Sequence, residues 1–167
     1  MTIGEARDLI TFNGWANGLV FDAANGLSEE QLRHVIPSSF PSIGETLAHI
    51  VSTEWLWLQR LLGESPVSAP AWVTSADVPG LRSQLATVES QREAFLAGLT
   101  DADLDHPIAY RTLAGQPHDD RLSDVIRHVV NHSTYHRGQA ATQFRQLGVT
   151  PPGIDFIAYV WRARTAR

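Results

Sequence analysis

Ser123-Asp124-Val125-Ile126-Arg127-His128-Val129-Val130-Asn131-His132-Ser133-Thr134-Tyr135-His136-Arg137-Gly138-Gln139 decides the fold and carries most of the chemistry. Leu122, Val125, Val129, Ala140 and Leu147 return at helical spacing along and beyond it, the stripe of an amphipathic helix that buries one face. The helix is predicted to start near Ser123 and to end at Leu147-Gly148, where Pro151-Pro152 prevents its continuation.

Three more long helices precede it. The first spans roughly Thr2 to Ala24, with Leu9, Phe12, Ala16, Leu19 and Val20 on one stripe and a stop at Asn25-Gly26. A short helical turn follows from Ser28, paired with Gln31 in a capping-box pattern. The second long helix opens at Ser42, with Glu45 three positions on, and runs to Gly63. Pro66, Pro70 and Pro79 punctuate the next loop, and a third long helix covers about Leu81 to Leu99. Between Pro107 and Leu122 the weak alternation of Ile108-Ala109-Tyr110-Arg111-Thr112 and the turn signal Ala114-Gly115-Gln116-Pro117 predict a small hairpin. A final short helix, Ile154 to Arg164, is expected to pack Ile157, Val160 and Trp161 inward. Leu27-Ser28-Glu29-Glu30-Gln31-Leu32 is echoed by Leu99-Thr100-Asp101-Ala102-Asp103-Leu104, each after a long helix. The expected fold is an all-α four-helix bundle in a single domain over residues 1–167, with longer crossover connections, a small hairpin before the last long helix and a short C-terminal helix.

Composition removes several function classes. The 167 residues contain no cysteine, which excludes disulfides, thiolate metal sites and a cysteine nucleophile, and fits a reducing compartment. All 13 basic residues are Arg, so lysine Schiff-base chemistry is excluded too. A net charge of −5 without a basic stripe argues against nucleic acid as a partner, and the short run Arg162, Arg164 and Arg167 reads as a solvated tail. The start lacks a basic region followed by an apolar run, and Glu54, Gln59 and His128 interrupt the apolar stretches. Neither a signal peptide nor a membrane span is expected, and the chain reads as cytoplasmic.

Of the seven histidines, His34, His106 and His118 fall in or near loops and read as surface residues. His128, His132 and His136 recur every fourth position on one helix, so neighbours share a face with Cβ atoms about 5–6 Å apart. Two such imidazoles can reach one ion. All three cannot, because eight residues of helix span about 12 Å. The apolar stripe is centred nearer His136, which favours the pair His132 with His136 and leaves His128 at the helix edge. Spacing equally allows both to be core histidines bonded to other side chains. His49 is the natural third ligand, yet it points away from Leu47, Val51, Trp55, Leu58 and Leu62. Either that helix is buried on two sides or His49 is exposed.

Phe12-Asn13-Gly14-Trp15-Ala16-Asn17, Ser42-Ile43-Gly44-Glu45-Thr46-Leu47-Ala48-His49-Ile50, Asn131 to Gln139, Leu147-Gly148-Val149-Thr150-Pro151-Pro152 and Asp155-Phe156 together resemble the DinB family of metal-binding four-helix bundles, within the DinB/YfiT-like superfamily. The resemblance runs over nearly the whole chain. It implies one divalent ion, zinc or nickel, held by His49, His132 and His136. It also implies a homodimer, for which Trp57 or Leu56 is a candidate surface. Tyr135 stands where many relatives carry a further histidine.

Three neutral nitrogens leave coordination positions open, as in catalytic rather than structural zinc sites. Glu45, Asn13 and Gln139 are candidate partners for the second ring nitrogens. Arg137 is read as pairing with an acid such as Asp155, or as orienting an anionic substrate. The resemblance to the superfamily implies a metal-dependent transferase acting on a low-molecular-weight thiol as the expected activity. A metal-dependent hydrolase and a non-catalytic, stress-induced metal-binding protein are the alternatives. No catalytic group besides the ion is evident in the sequence.

Overall fold

The computed structural model describes residues 1–74 and 77–165, so Arg167 of the basic tail lies outside the described residues. Its elements are α1 (Ile3–Ala24), α2 (Glu29–Arg33), α3 (Ile43–Leu61), α4 (Val78–Ala97), β1 (Pro107–Arg111), β2 (Pro117–Arg121), α5 (Leu122–Gln146) and α6 (Phe156–Thr165). The four long helices α1, α3, α4 and α5 form the bundle. Around it the order is α1, α4, α3, α5, so α1 and α3 sit on one diagonal.

Side-chain pairings fix the directions. Arg7 of α1 donates to the Leu96 carbonyl of α4 at 2.9 Å, while Gly18 abuts Arg82, so these helices are antiparallel. Thr46 meets Gln143 and Glu54 meets Ser133, which sets α3 antiparallel to α5. Leu47 clusters with Leu81, and Leu61 with Leu96, so α3 and α4 run parallel. Two parallel neighbours joined in sequence require a crossover connection, which follows α3 and precedes α4. Three apolar clusters fill the core, the largest built from Val20, Phe21, Leu47, Val51, Leu85 and Phe144.

Local chemistry explains most boundaries. Thr2 and Ser28 both form full capping boxes with the residue three positions on. At Ser42 the hydroxyl accepts from the Glu45 N–H, but no return bond from Glu45 is found among the described residues, so the expected box is half formed. Gly63 and Gly148 take φ of +88° and +74° just past α3 and α5, where a left-handed residue closes the helix. Helix α4 begins three residues earlier than expected. Asp77 caps it through the Gly80 N–H, and Pro79, read from sequence as a breaker, sits in the first turn, where its missing N–H costs nothing.

The hairpin forms antiparallel between β1 and β2 and rests against α3. The inward face expected for α6 is not the observed one. Of the three residues expected inward only Val160 is half-buried, Ile157 and Trp161 being 49% and 59% exposed; the contact with α1 is made by Tyr159 and by one edge of the exposed Phe156, whose ring centres lie 5.7 and 5.0 Å from that of Phe12. Neither residue suggested for a dimer surface is a free apolar side chain: Leu56 is buried, and Trp57 packs against Tyr110 of the hairpin.

Candidate metal centre

Helices α3 and α5 run antiparallel side by side, and that register brings His49 opposite His132 and His136. The Nε2 atom of His136 lies 3.1 Å from that of His49 and 3.2 Å from that of His132. Ligating nitrogens of all three fall within 4.8 Å of one another. An ion bonded to imidazole at about 2.0–2.1 Å, at tetrahedral angles, separates its nitrogens by about 3.3 Å, so the cluster fits a divalent ion with small adjustment. The earlier ambiguity about His49 resolves physically, since α3 is packed on two sides, by α4 and by α5. His128 sits at the exposed edge of α5, with its ring 5.6 Å from that of His132.

Protonation favours the same chemistry. Burial, and then the adjacent His136, hold His49 down at about 4; burial, and then His136 and His49, do the same for His132. Both rings are therefore neutral at pH 7 and present lone pairs, as metal ligands must. Phe40 covers the cluster, its ring centre 4.5 Å from that of His49.

A stability prediction follows from these depressed values. Between about pH 4 and the ordinary 6.5, the unfolded chain binds more protons on these rings than the folded chain does. Stability of the metal-free protein should rise with pH across that window and level off above it. Urea midpoints measured at several pH values check this, and His132→Gln should flatten the slope between about pH 5 and 6.5, where carboxylates are already ionised.

Of the three residues suggested as partners of the imidazoles, only Gln139 contacts one. Its Nε2 donates to Ser39 Oγ at 2.9 Å, which turns its carbonyl oxygen to accept from His136 Nδ1 at 2.8 Å. That bond orients the ring so that Nε2 faces the cluster. Replacing it, Gln139→Leu, is expected to weaken metal binding about 10- to 100-fold with little loss of fold stability, read by competitive titration against a chromogenic chelator. Glu45 is exposed and touches none of the histidines.

Asn13 belongs elsewhere, to a buried polar network under the site. Its centre is Glu54, one turn past His49 and 1% exposed. Glu54 accepts from Asn13 at 2.6 Å, Asn17 at 3.3 Å and Ser133 at 2.5 Å, and it pairs with Arg92 of α4. Burial alone would raise its pKa, but Arg92 together with the Ser133 and Asn13 hydrogen bonds outweighs burial and holds the carboxyl below its usual range. Arg137 does not pair with Asp155 as expected. It turns inward to Asn13 and Asn17, at 2.6 and 2.8 Å, and to Thr134 at 2.7 Å. All four bundle helices thus meet through polar bonds directly beneath the histidines. Sequence reading missed this network, although one signal was present. Glu54 lies between Val51 and Leu58, and Arg92 between Val88 and Leu96, at positions of their apolar stripes.

A bundle in which two antiparallel helices bring three imidazoles to one point is a candidate mononuclear metal protein. Comparison with known proteins gives the family. The sequence matches the DinB family over residues 4–167, and the chain belongs to that family. Protein DinB of Bacillus subtilis (strain 168) is 26% identical over 167 residues, covering 97% of each chain. Among solved structures, a DinB-like protein from Bacillus cereus ATCC 10987 superposes with a TM-score of 0.64 at 21% identity, covering 91% of this chain and 97% of its own. YfiT from Bacillus subtilis, described as a probable metal-dependent hydrolase with an unusual four-helix bundle topology, gives 0.66 at 16% identity, covering 87% of this chain and 89% of its own. These likenesses establish the four-helix-bundle fold.

Proposed function

We propose that this chain holds one zinc or nickel ion through His49, His132 and His136 and uses it to transfer the sulfur of a low-molecular-weight thiol to a small electrophile. The observation that carries this reading is the convergence of three imidazole Nε2 atoms, at 3.1 and 3.2 Å, with the His49 and His132 rings half-buried and that of His136 buried. A divalent ion held there supplies Lewis acidity that favours the deprotonated form of a thiol or water at neutral pH. Because every protein ligand is uncharged, the ion's positive charge is left for an anionic partner, and a thiolate suits it. His49 and His132 stay unprotonated at pH 7 and donate lone pairs, while Gln139 fixes the ring of His136. In the transfer a sulfur–carbon bond forms, the electrophile's leaving group departs, and the thiol proton passes to solvent.

A hydrolase reading, in which water replaces the thiol, is supported by the description of YfiT. We read the protein further as a cytoplasmic homodimer without nucleic-acid or membrane partners. Among the described residues, no helix is long and apolar enough to cross a membrane. The test is metal-stimulated loss of free thiol against a chlorodinitrobenzene electrophile, run beside hydrolysis of a nitrophenyl ester. Conjugation that disappears with chelator and in His132→Ala supports transfer. Ester cleavage alone supports the hydrolase. Metal binding that stabilises the fold without either turnover would leave a non-catalytic metal protein.

A further inference from the structure

Arg60 lies outside the site described above, yet it closes the same face of α3. His49, Thr53, Trp57 and Arg60 follow one another at turn spacing along that helix. A seam of rings connects the triad to it: His128 lies 5.6 Å from His132, and Trp57 lies 4.7 Å from His128. At its end the Arg60 guanidinium packs 4.4 Å from the centre of the Trp57 ring and 4.9 Å from that of Tyr110.

This arginine is only 6% exposed, its Nε is buried without an acceptor, and it makes no ion pair among the described residues. The other two deeply buried arginines both have partners, Arg92 with Glu54 and Arg137 with Asn13 and Asn17. Of the two acids on β2, Asp119 is exposed and Asp120 is engaged by the Tyr110 hydroxyl at 2.8 Å. A desolvated guanidinium, packed on two rings and lacking a carboxylate among the described residues, is suited to a planar anion in the fork geometry that arginine favours.

Helix geometry sets the reach. Side chains lean toward the N-terminus, so the guanidinium stands over Trp57, eight residues from His49, about 12 Å along the axis. Allowing about 2.3 Å for a metal–sulfur bond and about 2.8 Å for a charged hydrogen bond leaves about 7 Å, the span of a dipeptide at about 3.3–3.6 Å per extended residue.

We infer that Arg60 is the anion anchor of the substrate site: it takes a carboxylate or phosphate of a peptide-sized thiol whose sulfur lies at the histidine triad. This rests on the metal-site reading, and the experiment separates the two. In metal-free, isotope-labelled protein, the Arg60 Nε–H and Trp57 indole NMR signals are followed during titration with succinate, inorganic phosphate and uncharged succinamide. Saturable shifts with either anion but not with succinamide are expected, with the exposed Arg33 and Arg127 unmoved and the Trp57 response lost in Arg60→Met. A response to succinate alone identifies the carboxylate, and one to phosphate alone the phosphate. No shift, or equal shifts at Arg33 and Arg127, overturns the anchor. In zinc-loaded protein the dipeptide Cys-Gly is then compared with its C-terminal amide. The acid should bind about tenfold more tightly, an advantage abolished by Arg60→Met and partly kept by Arg60→Lys. An advantage that survives Arg60→Met overturns the assignment. Failure of both thiols to bind, beside a positive anion titration, counts against the metal-site reading instead.

Discussion

Glu54→Leu is expected to cost about 3–5 kcal/mol of folding stability, the largest effect of any single substitution in the bundle. The carboxylate is 1% exposed and accepts from α1, α4 and α5 at once. Removing it leaves Arg92 buried without its counter-ion and strips Asn13 and Ser133 of their acceptor, and each unsatisfied group carries its own desolvation cost. Leucine fits the space but answers none of those donors. Glu54→Gln keeps one acceptor oxygen and the shape, so it should lose less, with Arg92 still uncompensated. The depressed carboxyl pKa adds a pH signature. The contribution of Glu54 is fully present above its ordinary value and is lost as pH falls through the lower folded value. Urea denaturation of the two variants beside the native sequence reads the effect. A loss below about 1 kcal/mol for the leucine variant would mean that the network is incidental to the fold.

His136→Ala should reduce divalent-metal affinity by more than about a hundredfold, beyond what loss of a supporting hydrogen bond such as that of Gln139 produces. His136 is the hub of the cluster, since its Nε2 is the atom within 3.2 Å of both other imidazoles. Without it His49 and His132 remain, held by different helices, and two ligands cannot supply the binding free energy of three. The truncation should leave the metal-free fold nearly intact, because His136 lies outside the Glu54 network. Isothermal titration with zinc, paired with thermal unfolding in chelator, separates the two effects. Unchanged affinity would remove His136 from the site.

The helices were legible because their signals are local. Ser28 and Gln31 cap a helix of five residues, Gly148 ends α5, and the spacing of His132 and His136 needs only one helix to be read. The hairpin was legible for the same reason, from its turn residues. What escaped depended on partners far along the chain. Ser133 and Glu54 are 79 residues apart, and Asn13 and Arg137 are 124 apart, so periodicity gave no hint that they meet. Asn13 was accordingly assigned to the histidines, and Arg137 to Asp155. Helix α6 misled for a related reason. Its apolar residues lie all round a short surface helix, and the choice of Phe156 and Tyr159 as the packed face is made by Phe12 on α1. His49 is the natural candidate for a third ligand from its place in a capped helix, and the family resemblance removes the doubt raised by its position off the main stripe.

The account depends on three imidazoles from two helices sharing one cation. Elemental analysis of protein purified without an affinity tag, dialysed against zinc and then buffer, tests this most directly when combined with X-ray absorption at the metal edge. It predicts one ion per chain with three imidazole nitrogens at about 2.0–2.1 Å, and no stoichiometric ion once His49, His132 and His136 are replaced together. Native protein that retains no ion, or a triple variant that retains it undiminished, would contradict it.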